Sequence, residues 1–69
     1  MFKVEFENAR GQKREIGKAD TYEQALQIVS DFLKSKNYVS YYTRTIEIEP
    51  NVTQLDVGSW SEFFYITKL

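Results

Sequence analysis

Glu5 and Glu7, and again Glu47 and Glu49, stand two residues apart in segments that alternate apolar and polar. That spacing sets both carboxylates of a pair on the outer face of a strand, where two such groups could bind a hard cation or share a proton. The competing reading is a solvated sheet face of alternating charge, the ordinary place for Glu. Ser59 and Ser61 offer hydroxyls without a partner base, because the chain contains no histidine and no cysteine. The commonest general base and the softest nucleophile are therefore missing. So are the thiolate and imidazole ligands that hold zinc, iron or copper. A chain of 69 residues also has little room for a ligand-sized cavity. The expectation is a protein that is not an enzyme and that needs neither metal nor cofactor.

Two other sets of residues suit binding. Arg10, Lys13, Arg14 and Lys18 crowd into one short stretch. A basic β-ribbon of this kind can enter a nucleic-acid groove, and Tyr41, Trp60 and Tyr65 could stack on single-stranded bases. Against that, Glu15 interrupts the run and the net charge is −1, so phosphate neutralisation would be modest. The second set is aromatic. Seven of the eleven aromatic residues lie between Tyr38 and Tyr65. That exceeds what one side of a small sheet needs for a core. Tyr and Trp give large contact area at low entropic cost, with a polar tip that tolerates water. Tyr38, Tyr41, Trp60, Phe63 and Tyr65 form the expected protein-binding surface, with Arg44 as an anchor.

The elements that would position these residues follow from periodicity. Phe2, Val4 and Phe6 alternate with Lys3, Glu5 and Glu7, the pattern of a half-buried strand. Residues 8–12 supply turn formers, with Gly11 suited to positive φ. Residues 13–17 read as a short return strand at the sheet edge, where lysines discourage stray pairing. Asp20 and Thr21 open a helix, each with a capping partner three residues on, Glu23 and Gln24. Tyr22, Ala25, Leu26, Val29, Phe32 and Leu33 recur at helical spacing, with Ile28 widening the stripe. Asn37 suits the helix end.

Residues 41–49 read as a strand with Tyr42, Arg44, Ile46 and Ile48 on one face. Pro50-Asn51 turns it, and residues 54–57 form the next strand. Gly58 breaks that strand and re-aims Trp60. Residues 62–68 are apolar on both parities, so the segment is either central and covered twice or the border of a binding surface. A short helix capped by Ser59, with Glu62 at its third position, is the rival for its start. The order β-β-α-β-β-β predicts a single α+β domain over 1–69, one helix packed on one face of a mostly antiparallel sheet. Tyr42, Phe64 and Ile66 are expected to close the core against Leu26, Val29 and Leu33. The odd-parity residues Tyr41, Phe63 and Tyr65, with Trp60, are the functional candidates.

Composition sets outer limits. Charged residues make up 28% and hydrophobic ones 42%, ordinary for a globular domain. Without disulfides or metal, so small a chain stands on packing or on a partner subunit, and a homodimer is one route. No apolar run approaches the ~20 residues of a membrane span. The charged alternation of residues 1–7 is unlike a signal peptide, so a cytoplasmic protein with no membrane partner is expected. Asn51-Val52-Thr53 spells a glycosylation sequon but reads as a turn.

Several spaced motifs carry a resemblance. Arg14-Glu15-Ile16-Gly17, Asp31-Phe32-Leu33, Ser40-Tyr41-Tyr42-Thr43-Arg44, Asp56-Val57-Gly58-Ser59 and Glu62-Phe63-Phe64-Tyr65 together span nearly the whole chain. In these the chain resembles a group of small proteins from phages, plasmids and other mobile elements of Gram-positive bacteria. The resemblance implies a setting: a cytoplasmic accessory protein that binds a host protein or nucleic acid. It also opens a minor branch, in which Glu47, Glu49, Asp56 and Glu62 imitate phosphates and the protein inhibits a host DNA-binding protein. Four carboxylates at a net charge of −1 make a weak mimic.

Overall fold

The computed structural model describes residues 1–36, 43–57 and 62–69. Its elements are β1 (Phe2–Glu7), β2 (Lys13–Ala19), α1 (Tyr22–Ser35), β3 (Thr43–Glu49), β4 (Val52–Val57) and β5 (Phe63–Lys68). The strands form one antiparallel sheet in the order β2-β1-β5-β4-β3. This is the α+β architecture that the periodicity predicts.

Local chemistry explains each boundary. At the first turn the Asn8 side-chain oxygen accepts from the backbone N–H of Arg10 and Gln12, and Gly11 takes φ 81°. Thr21 caps α1. Its hydroxyl oxygen accepts from the Gln24 N–H at 3.1 Å, while the Gln24 side chain accepts from the Thr21 N–H at 3.3 Å. Such a box stabilises a helix start by about 1 kcal/mol. Residues 37–42 and 58–61 lie outside the described residues. So do the expectations placed on them: the helix terminator Asn37, the core residue Tyr42, the re-aiming Gly58, the Ser59 cap, and three members of the binding set, Tyr38, Tyr41 and Trp60.

The helix buries Ala25, Val29 and Leu33 against Val4, Phe6, Leu55, Phe64 and Ile66. Phe6, Phe32 and Phe64 meet with ring centroids 4.7–5.6 Å apart. The Lys36 ammonium sits 4.6 Å from the centre of the Phe6 ring and pairs with Glu62 at 3.0 Å, tying the end of α1 to the approach of β5. A cation over an aromatic face adds about 0.5–1 kcal/mol at such exposed sites.

Strand β5 lies third of five, with β1 on one side and β4 on the other. Its central place accounts for apolar residues on both parities. Phe64 and Ile66 face the helix, while Tyr65 faces away. Among the described residues the backbone of α1 lies close to β2, β1 and β5 and not to β3 or β4, with Leu55 of β4 reaching the core beside it. A helix about 10 Å across covers two to three strands spaced about 4.8 Å apart, so one helix leaves part of a five-stranded sheet uncovered.

The edge strand β3 differs from the expectation. Cross-strand register aligns Ile46 with Gln54 and Tyr65, which puts Arg44 and Ile46 on the face away from the helix. The parity expected to face the core is therefore the outer one at Arg44 and Ile46. Ile46 and Ile48 are each 46% exposed. The reason is geometric: β3 is too far from α1 for either parity to be buried by it.

Candidate protein-binding face

The face turned away from α1 is built from rows of cross-strand neighbours. One row runs Glu5, Tyr65, Gln54, Ile46 from β1 to β3. The next runs Lys13, Glu7, Phe63, Asp56, Arg44 from β2 to β3. Antiparallel pairing fixes both rows, since residues opposite each other share a face.

Tyr65 stands at the centre and is only 7% exposed. Its hydroxyl donates to Glu7 Oε1 at 2.7 Å and accepts from Gln54 Nε2 at 3.1 Å. The Lys13 ammonium lies 3.9 Å from its ring centre. The expectation that Tyr65 is an exposed contact residue is thus corrected. A side chain in mid-sheet has neighbours on both flanking strands, and here they cover the ring and satisfy its hydroxyl. Burial, then the bond donated to Glu7, raise its pKa above the ordinary 10.0. The neutral phenol is the form the fold favours. Its contribution is therefore complete below pH 10 and is lost as the pH rises through the higher folded value. Tyr65→Phe should lower stability at neutral pH by about 1 kcal/mol and make the alkaline decline shallower. Urea unfolding at pH 7 and between pH 9 and 11.5 reads both effects. A variant as stable as the wild type with an unchanged alkaline limb would contradict the role given to this hydroxyl.

Phe63 is half-buried two residues before Tyr65, between Glu7 and Asp56. Arg44 is exposed, and its guanidinium pairs with the Asp56 carboxylate on the adjacent strand. This pair holds the arginine in the same row as Phe63. Toward the sheet edge the surface turns apolar, with Ile46 on the face and Ile48 at a bulge. Of the expected binding set, the described residues bring Phe63 and Arg44 into one row, across Asp56, and set Tyr65 in the next. Ile46 joins this face although reasoning from parity missed it, and the exposed Ile48 borders it at the bulge. The usable signal was the ratio of one helix to five strands.

The basic stretch does not converge. Lys13 lies on the outer face over Tyr65, and Arg14 lies on the helix side, 5.7 Å from the centre of the Phe32 ring. Arg10 sits in the exposed turn, and Lys18 opposes Lys3 on the outer face. The carboxylates fare similarly. Lys3 lies 3.8 Å from Glu5, and Glu7 is engaged by Tyr65. The expectation that Glu47 and Glu49 share the outer face is corrected. An extra residue at Ile48 aligns Glu47 with Thr53 and Glu49 with Val52, and these belong to opposite faces. A bulge changes parity by one, and that separates the pair. The described residues contain no cluster of three or more acidic groups that could hold a metal ion. Of the four proposed phosphate mimics, Asp56 and Glu62 are paired to Arg44 and Lys36. No helix among the described residues is long and apolar enough to cross a membrane.

No protein-family model, curated protein or solved structure matches the chain.

Proposed function

We propose that the protein is a non-enzymatic binding module that docks a protein partner on the outer sheet face along Phe63, Arg44 and Ile46, bordered by the bulge at Ile48. The observation that carries this reading is the pair of exposed isoleucines at the end of the sheet that the helix leaves bare. An apolar edge beside an arginine and a half-buried aromatic has the composition of an interface centre. Tyr65 acts as its floor: its hydrogen bonds to Glu7 and Gln54 hold β1, β5 and β4 in one rigid surface. Catalysis has little support in the same region, since the carboxylates nearest the centre are engaged or separated. The resemblance to mobile-element proteins supplies the setting, a host protein in the cytoplasm.

The test is affinity capture from a Gram-positive lysate with immobilised wild type, Ile48→Lys, Phe63→Ala and the helix-surface control Glu23→Ala. The expected result is a discrete host protein retained by wild type and Glu23→Ala and reduced at least tenfold by the other two, which corresponds to about 1.4 kcal/mol or more. Equal capture by all four proteins would overturn the assignment.

A further inference from the structure

We infer that the outer edge of β3, which among the described residues pairs only with β4, pairs antiparallel with β3 of a second copy, joining two sheets into one of ten strands. Every residue from Arg44 to Glu49 is exposed, and among the described residues β3 touches only β4. A strand with one neighbour presents a row of unpaired N–H and C=O groups along its other side. The opposite edge is better guarded. β2 carries Lys13, Arg14 and Lys18, is interrupted by a bulge at Ile16, and lies under α1. On β3 the bulge at Ile48 leaves residues 43–47 as the regular stretch. That stretch is compatible with itself about a two-fold axis at Thr45.

In this register Thr45 meets Thr45 of the second copy, and Ile46 meets Arg44 of the second copy, twice by symmetry. Glu47 falls opposite Thr43 of the second copy. No like charges face each other, and the arginine stem lies over an apolar side chain while its guanidinium stays with Asp56. Moving the axis to Glu47 would oppose two glutamates, and a parallel pairing in register would oppose Arg44 to itself. An axis at Ile46 would set Arg44 opposite Ile48 at the bulge, so charge pattern and bulge together favour the axis at Thr45. Edge pairing is in the plane of the sheet, so it leaves the outer faces free and sets two of them side by side. The pairing shares Arg44 and Ile46 with the proposed partner face, so its test reads the oligomeric state alone.

Sedimentation equilibrium of the purified chain up to about 1 mM, the range of weak, small interfaces, tests it. Wild type should show a monomer–dimer equilibrium. Ile46→Lys, which sets a lysine against Arg44 of the second copy, should weaken the dimer about tenfold or more. Ile46→Glu, which sets a carboxylate there, should keep or tighten it. Ile46 is exposed in the monomer, so both variants should fold, and circular dichroism checks that they do. A wild type that stays monomeric throughout, or two variants that shift the equilibrium alike, would overturn the pairing. Neither result would touch host-protein capture, which is read separately through Phe63 and Ile48.

Discussion

Phe64→Ala should destabilise the protein by about 3–5 kcal/mol, while Ile46→Ala should change stability by less than about 0.5 kcal/mol at concentrations where the chain is monomeric. Both residues are large and apolar, and both sit in strands. Phe64 is fully buried, touches the rings of Phe6 and Phe32, and lies on the central strand between β1 and β4. Removing its ring opens a cavity that several neighbours can close only by leaving their rotamers. Ile46 has no helix above it. A chain of 69 residues has a total stability of only about 3–10 kcal/mol, so the first variant should be substantially unfolded at room temperature. Urea denaturation followed by circular dichroism reads both. Comparable losses in the two variants would mean that β3 is covered, and the outer-face assignment would fail with it.

Gly17→Val should cost about 1–3 kcal/mol, more than any solvent-facing substitution on β2. Gly17 lies on the helix face of the sheet, aligned with Val4 and Ile66. A Cβ there would come within 3.0 Å of Ile28 Cδ1 and 3.3 Å of its Cγ2. A single added methyl can be met by rotating the end of Ile28. A branched side chain would push α1 away from β2. Truncating the obstacle should therefore recover stability: in the double variant Gly17→Val, Ile28→Ala the two changes should be coupled by about 0.5–3 kcal/mol. Purely additive losses would show that the helix does not rest on this glycine.

The parts of the fold legible in the sequence are those set by local rules. The stripe from Tyr22 to Leu33, the Thr21–Gln24 box, the Gly11 turn and the alternation of Phe2, Val4 and Phe6 each follow from spacing within one element. Strand order was not legible in that way. Whether residues 62–68 run in the middle or at the border depends on pairings with residues 2–7, far away in sequence. That order decides whether Tyr65 is a floor or a contact. The bulge at Ile48 was also hidden, since one extra residue leaves no mark in composition yet moves Glu49 to the other face. Residue type marks Phe63 and Arg44 as candidates, although parity sets Arg44 with Tyr42 on the face expected to close the core. Ile46 and Ile48 are not marked, because an apolar parity reads as core until the width of the covering layer is counted.

That count also explains the outer face as a whole. Its middle is polar but internally satisfied, through Tyr65, Glu7, Gln54 and Lys13. Its β3 end carries the exposed Ile46 beside Arg44, with the exposed Ile48 at the bulge. A rigid, satisfied centre beside an exposed apolar border costs a partner little ordering on binding.

The most direct measurement of the central claim is amide hydrogen exchange on the protein with and without its captured host partner. The account predicts added protection in peptides covering residues 44–57 and 62–66 and none in α1, residues 22–35. Protection confined to the helix, with exchange across β3 and β4 unchanged, would contradict it.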